Sequence, residues 1–248
     1  MDETRNKNIA WALIALILAL GLIISSSFIS NGLVKFKSSE NTITVTGSAK
    51  QQIKSDQIVW NGSFSVQTGD LKTAYAELQN SQRKVNTYLV SKGISQEDIV
   101  FSSITTTTNY AMLPNGQYSN KIEGYCLSQQ VEVRTKDVEG VTQLSREATE
   151  LINDGVEFQS NAPQYYYTKI ADLKVKMLSL ATKDAMKRAE EIAKNTNSSV
   201  GGLRNAKMGV IQITPLYSNE ISDYGMNDTS SLEKEITGVV SCTFEIKD

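Results

Sequence analysis

A predominantly apolar run without charges lies near the start of the chain, from Ile9 to Ile29. A helix of these 21 residues would be about 32 Å long, close to the roughly 30 Å hydrocarbon core of a bilayer. The run therefore predicts a transmembrane anchor helix whose partner is the lipid bilayer. The alternatives are a cleaved signal peptide, since Ser25, Ser26 and Ser27 are small enough for a cleavage site, and a helix buried in a folded domain, which is rarely apolar on every side.

The charges that flank the run do not select its orientation in the membrane. Arg5 and Lys7 precede it and Lys35 and Lys37 follow it, so the counts of basic residues tie under the positive-inside rule. The short amino-terminal tail favours an arrangement with the tail in the cytoplasm. We therefore expect a single-pass protein of the cell (inner) membrane with its carboxy-terminal domain outside the cytoplasm. The predicted segments are a tail at 1–8, the anchor at 9–29, a linker at 30–41 and a folded domain at 42–248.

After the linker, alternating apolar and polar positions predict strands, and apolar positions with a helical period predict the helices between them. The first half of the domain contains a strand from Ile43, a strand around Ile58–Val66, a helix from Asp70 to Gly93, and strands at Ile99–Tyr110 and Tyr118–Arg134. The last two strands are predicted to form a long hairpin, because Pro114-Asn115-Gly116 is typical of a turn. Asp70 is the predicted N-cap of the first helix.

The order strand, helix, strand occurs twice, at about 57–110 and 124–168, and a long helix follows in the second half of the domain. This half contains a helix from Asp137 to Gly155, short strands at Val156–Phe158 and Gln164–Thr168, a helix at Lys169–Asn195, and strands at Ala206–Tyr217 and Ile236–Ile246. The long helix has an alanine-rich apolar stripe that includes Ala181, Ala185 and Ala189, together with Leu180 and Ile192. We predict an α+β domain with two strand–helix–strand units, a long third helix and a mixed/antiparallel sheet.

Composition narrows the classes of function. The chain has no histidine, which removes the commonest general base at neutral pH and the commonest zinc ligand. After residue 37 it has 21 Lys and Arg against 25 Asp and Glu, without a basic stripe, which argues against nucleic acid as a partner. We predict no catalytic, cofactor-binding or metal-ligating residues, and no cofactor.

The two cysteines, Cys126 and Cys242, are far apart in the sequence and lack the spacing of a metal site. Cys242 falls on the same strand face as Val240 and Phe244, which predicts a core position. Cys126 is predicted to face away from Leu127 and its apolar neighbours. Whether the two cysteines form a disulfide is left open by the sequence.

Four features are weaker candidates for chemistry. Tyr165-Tyr166-Tyr167 favours packing at a sheet face or subunit interface over binding of an aromatic ligand. Asp154 and Glu157 are acidic neighbours, but Asp154 has a simpler role at a helix end. Gly201-Gly202 lacks the spacing of a phosphate-binding loop. The polar segment Ser218–Glu235 is long for a loop, and such loops are usually functional or disordered.

Several motifs, taken in order, resemble the SIMPL-domain family, which includes bacterial periplasmic immunogenic proteins. They are ITVTGSA at 43–49, Lys92-Gly93-Ile94 with Asp98-Ile99, Gly124-Tyr125, and the alanine-spaced segment Ala181–Ala189. The similarity spans roughly Ile43 to Ile246. The chain departs from the family pattern at Ser55, where proline is common, and at Asn197, where glycine often ends the long helix. Asparagine tolerates the left-handed conformation that such a cap requires.

The resemblance implies an exported α+β domain that assembles into large ring-like homo-oligomers, with a link to envelope integrity or oxidative stress for some members. It supplies no catalytic motif. We therefore expect a membrane-anchored, extracytoplasmic, oligomerising protein, ring-like or a scaffold, with a role in the cell envelope or stress response and no catalysis. The alternatives are a module that binds a small ligand or a partner protein, for example through Ser218–Glu235, and an enzyme that works without histidine.

Overall fold

The structure, a computed structural model, describes residues 18–19, 21–26, 29–30 and 41–247. Those before residue 31 are helical. No helix in the described part of the chain is both long and apolar enough to cross a bilayer. Much of the predicted anchor at 9–29, the tail at 1–8 and most of the linker at 30–41 lie outside the described residues, so these segments stay predictions.

From residue 42 onward the chain forms an α+β fold, which confirms the predicted class. The strands are β1 Thr42–Lys54, β2 Gln57–Thr68, β3 Ile99–Phe101, β4 Thr105–Met112, β5 Tyr118–Thr135, β6 Glu157–Ser160, β7 Gln164–Tyr166, β8 Ser199–Met208, β9 Gln212–Pro215, β10 Met226–Asn227 and β11 Glu233–Lys247. The helices are α1 Leu71–Ser91, α2 Val138–Glu147 and α3 Ile170–Asn195, with 3₁₀ turns at Gln96–Asp98 and Ala148–Asp154.

The chain divides into two compact units. We call Lys50–Met177 with Val210–Gly238 the central unit, and Met1–Ala49 with Leu178–Gly209 and Val239–Asp248 the terminal unit. β1, α3 and β11 each contribute residues to both units.

The core of the central unit lies on one face of β2. Ile58, Trp60 and Phe64 alternate along this strand and are at most 1% exposed, so the predicted buried face is confirmed. β2 pairs antiparallel with β5 on one side and with β6 and β7 on the other. Apolar residues of α1 and α2, including Leu78 and Val141, complete the same core. Two helices therefore cover one face of an antiparallel sheet.

The ends of α1 and α2 follow the signals in the sequence. The Asp70 carboxylate accepts a 2.8 Å hydrogen bond from the backbone N–H of Thr73, as the predicted N-cap should. Asp137 caps α2 in the same way, with a 3.0 Å bond from Gly140. After α1, Gly93 adopts φ 91°, a left-handed conformation that costs glycine little.

The terminal unit is built on the alanine stripe of α3. A Cβ atom on Gly47 of β1 would lie only 2.1 Å from the carbonyl oxygen of Ala181, so glycine and alanine together allow strand and helix to approach closely. Ala181, Ala185 and Ala189 are fully buried with Val45 and residues of β11. Asn197 then ends the helical region with φ 55°, which confirms that asparagine can replace glycine at this cap.

Two predicted strands differ from those in the structure. The predicted strand Ile99–Tyr110 is divided into β3 and β4, and the register with β5 shifts by one residue between Phe101 opposite Val131 and Thr105 opposite Ser128. At the break the Gln129 side chain donates to the Ser102 carbonyl oxygen at 2.8 Å. The predicted strand Ala206–Tyr217 is also divided. β8 already begins at Ser199, and the chain leaves it at Gly209, whose N–H donates to Val239 O at 2.8 Å.

Some predicted core positions are wrong, and the question of the disulfide is answered. Leu180 and Ile192 are 38% and 47% exposed, since the small alanine side chains make the buried stripe of α3 narrow. Cys126 and Cys242 both carry free thiols. Cys242 is fully buried, which confirms its predicted core position.

Candidate functional site

A cavity of about 260 Å³ lies within the central unit. It is lined by residues from segments that are far apart in the sequence. All three tyrosines of Tyr165-Tyr166-Tyr167 line it. Met226, Asn227, Asp228 and Thr229 of the polar segment 218–235 also line it, together with Lys234 of β11. We call it the Lys234 cavity.

Lys234 is the unusual residue of this cavity because it is a lysine with only 2% of its surface exposed. Its Nζ donates to the carbonyl oxygen of Tyr165 at 2.7 Å and to the carbonyl oxygen of Asp228. Within the described residues it forms no salt bridge. Burial lowers the pKa of the Lys234 ammonium group below its usual value, although the negative charge of Asp228 opposes this shift.

Strand alternation explains why a lysine occupies a core position. Lys234 lies on the same face of β11 as Ile236, which is fully buried. The facing strand is β9, where Pro215 is opposite Lys234. The alternation of β11 could have located this buried lysine from the sequence, since every second residue from Lys234 to Phe244 is buried.

Asp228 lies beside Lys234, and its carboxylate accepts hydrogen bonds from residues of its own loop. The carboxylate accepts hydrogen bonds from the N–H and hydroxyl of Ser230, at 2.9 and 2.6 Å, and from the N–H of Ser231 at 3.2 Å. Burial alone would raise the pKa of Asp228, but these bonds and the charge of Lys234 outweigh it and lower the pKa. The Asp228 N–H also donates to Ile213 O at 2.9 Å. This part of the long polar segment is therefore fixed to β9.

The tyrosine triplet is partly structural. Tyr165 is 7% exposed and belongs to the core, with its hydroxyl 3.1 Å from that of Thr142. Tyr166 is 36% exposed and donates to Gln164 at 2.8 Å. The predicted packing of tyrosines at a sheet face is confirmed for Tyr165, and its backbone carbonyl is the group that contacts Lys234.

The other candidates from the sequence lie elsewhere. Asp154 acts through its carbonyl oxygen, which accepts from Lys84 Nζ at 2.6 Å, and Glu157 is an exposed residue of β6. Gly201 and Gly202 are residues of β8. In the part of the chain that the structure describes, no three His, Cys, Asp or Glu side chains are grouped as metal ligands would be.

A second feature is an exposed two-stranded ribbon at the end of the β4–β5 hairpin. β2 stops pairing with β5 at Thr68 opposite Tyr125, so residues 109–123 continue with only two strands. Tyr110 pairs with Ile122, and Met112 pairs with Tyr118. The register of β5 shifts between these two pairs. Tyr110 and Met112 are nevertheless alternate residues of β4, and each shares a face with its partner, so these four large apolar side chains lie on one side. We call this the ribbon face.

The ribbon face is open. Its members Tyr110, Ile122, Met112 and Tyr118 are 44%, 47%, 63% and 72% exposed. The other edge of β4 has no strand partner among the described residues. Exposed apolar patches on regular structure often mark interaction sites, and an unpaired strand edge can accept another strand.

Comparison with known proteins agrees with the sequence motifs. Residues 43–244 match the SIMPL family model, which is described as a protein of unknown function (DUF541). No curated protein matches the chain. Since the match covers most of the chain and nearly all of the fold from β1 to β11, the protein belongs to the SIMPL family.

Proposed function

We propose that the protein is a membrane-anchored, extracytoplasmic module that assembles with further copies of itself into a ring or scaffold of the cell envelope. In this proposal residues 9–29 hold each chain in the inner membrane, the folded domain lies outside the cytoplasm, and the assembly serves the envelope or its stress response without catalysis. The observation that carries the proposal is the ribbon face, four large apolar side chains on a ribbon that extends beyond β2.

The ribbon face is difficult to explain by the folding of one chain. A two-stranded ribbon is marginal in water without a further strand or a packed face. Burying a large apolar side chain contributes about 1.5–3 kcal/mol, and the four side chains are about half exposed. Complete burial of the ribbon face would therefore add roughly 3–6 kcal/mol per chain, a gain that association with a further copy would supply.

This gain alone does not exceed the cost of association between freely diffusing chains, which is about 4–15 kcal/mol. A membrane anchor reduces that cost because it confines the chains to one plane and raises their effective concentration. A ring also gives each chain two contacts, one with each neighbour. Anchoring and ring-like assembly therefore support one another in this proposal.

The absence of catalysis in the proposal is supported by the composition of the chain. With no histidine in the sequence, the commonest general base at neutral pH is missing. The carboxylate of Asp228, which lies beside the buried lysine, is already occupied by its own loop.

The direct test is the mass of the full-length protein in detergent, measured by light scattering at micromolar concentrations. We expect a defined multimer whose mass does not fall on dilution within this range. A strict monomer throughout the range would reject the proposal.

The location of the folded domain is tested by adding protease to cells whose outer envelope layers have been opened while the inner membrane is intact. We expect the domain to be cleaved, and protection of the domain would reject the extracytoplasmic placement.

A further inference from the structure

Lys234 carries a positive charge that the described protein groups satisfy incompletely. An ammonium group has three N–H donors, and two of them are taken by the carbonyl oxygens of Tyr165 and Asp228. The third has no acceptor among the described residues. Burying a charge is costly unless it is paired, and carbonyl dipoles compensate it only in part. An anion beside Lys234 would accept the third N–H and neutralise the charge of the ammonium group.

The lining of the cavity also favours an anion. It includes a second lysine, Lys174 of α3, and one acidic residue, Asp228. Because the Asp228 carboxylate accepts three hydrogen bonds from Ser230 and Ser231, it has little capacity left for Lys234. The two cations therefore exceed the single anion in the wall of this cavity.

The rest of the lining is mixed, since Asn227 and Thr229 lie in the same wall as a group of apolar side chains. Isoleucine and methionine side chains contribute to the wall: Ile53, Ile170, Ile211, Ile213 and Met226. The volume of about 260 Å³ equals that of roughly nine water molecules in the liquid. An inorganic anion would leave most of these apolar side chains without contacts, whereas a ligand with a short apolar body would contact them.

We propose that the Lys234 cavity binds a small monocarboxylate with a short apolar body, whose carboxylate accepts the third N–H of Lys234. The apolar body lies against the isoleucines and Met226, and the tyrosine triplet contributes to the wall together with Asn227 and Thr229. This site is within one chain and does not require self-association.

The test is equilibrium dialysis of isotope-labelled hexanoate against the full-length protein in detergent, with a blank that contains detergent alone. Hexanamide, which has the same body without the charge, serves as the competitor. We expect saturable binding of one hexanoate per chain and at least about tenfold weaker competition by hexanamide, the effect of losing one hydrogen bond to a charged group. Absent binding, or equal competition by hexanamide, would overturn the proposal.

Variants locate the bound hexanoate. Lys234→Met keeps the length of the side chain and should weaken hexanoate binding at least about tenfold, whereas Lys207→Met, on the exposed strand β8, should not change it. Ile211→Trp fills the cavity and should abolish binding. Circular dichroism shows which variants are folded. If Lys234→Met does not fold, Ile211→Trp decides, and unchanged hexanoate binding in either folded variant would overturn the proposal.

Discussion

Two apolar faces of the same sheet have opposite environments. On β2, Ile58, Trp60 and Phe64 are at most 1% exposed beneath α1 and α2. On the ribbon, the large apolar side chains lack such a cover, and Tyr118 is 72% exposed. Both faces are built by alternation on antiparallel strands, and β5 takes part in both.

This difference in exposure distinguishes residues that stabilise the folded chain from residues that are available to a partner. Substitution on the β2 face should reduce the free energy of unfolding, because its contacts are all within the central unit. Substitution on the ribbon face should leave that free energy nearly unchanged and should affect association. We therefore expect substitutions on the β2 face to lower the stability of the chain, and substitutions on the ribbon face to impair assembly while the stability is kept.

The largest loss of stability is expected from Trp60→Ala. Trp60 is fully buried, packs against Phe158 with ring centroids 6.1 Å apart, and donates to the Ser160 hydroxyl at 3.1 Å. Truncation of a buried aromatic side chain costs about 3–5 kcal/mol, and urea unfolding measures this cost. Tyr75→Ala on α1, where the ring is 52% exposed, is the control and should cost clearly less. Similar losses in both variants would show that the core is not centred on β2.

A smaller, pH-dependent loss is expected from Asp56→Asn at the start of β2. The Asp56 carboxylate accepts 2.7 Å hydrogen bonds from both the N–H and the hydroxyl of Thr168. Burial opposes the charge, but these bonds outweigh it and hold the pKa of Asp56 below its ordinary value of 3.8. The substitution should cost about 1.5 kcal/mol at pH 7.

The sign of the pH dependence follows from the depressed pKa. The stabilisation by Asp56 is complete above the unfolded-state pKa and is lost as the pH falls through it towards the folded-state pKa. The difference between the original chain and Asp56→Asn should therefore shrink from pH 7 to pH 3 in urea unfolding. Asp223→Asn, on an exposed loop, should show no such trend. A difference that grows on acidification would contradict the role of this carboxylate.

A loss of about 1 kcal/mol is expected from Asp137→Ala, which removes the N-cap of α2. This helix supplies Val141 and Leu144 to the cover of the β2 face, so its loosening should appear in urea unfolding and in faster amide exchange of α2. Asp137→Ser, which keeps a capping oxygen, should recover most of the stability. If serine and alanine were equally destabilising, the cap would not be the cause.

The sequence predicts these elements well where one local signal dominates. The β2 face follows from strict alternation. As predicted, Asp70 is the N-cap of α1 and Gly93 follows its end. β8 was placed too late because Ser199–Met208 contains two glycines and is exposed along most of its length, so it has no apolar alternation. The break between β3 and β4 was missed because it is a shift of register against another strand, β5, where Gln129 contacts Ser102.

The candidate site was less predictable because it combines distant segments. The tyrosine triplet and the segment 218–235 were each identified, but the sequence does not show that they meet at one cavity. Lys234 was missed because an isolated lysine usually lies at the surface. Its position in the alternation of β11 was the available signal. The hairpin turn at Pro114-Asn115-Gly116 was predicted, whereas the exposure of the ribbon face depends on where β2 ends.

The smallest change in the free energy of unfolding is expected for the double variant Tyr118→Ser/Ile122→Ser on the ribbon face. This variant also tests directly whether the ribbon face is the interface. Its matched control is Tyr217→Ser/Ile221→Ser, which changes the same residue types at loop positions that are 85% and 84% exposed. Both variants should unfold within about 0.5 kcal/mol of the original chain.

The decisive measurement is the light-scattering mass of these two full-length variants in detergent, beside that of the original chain. We expect the original chain and the loop variant to remain multimeric and the ribbon variant to become monomeric. A ribbon variant that keeps the multimeric mass would contradict this assignment of the interface, and loss of the multimer only in the loop variant would place the interface at the loop that contains Tyr217 and Ile221.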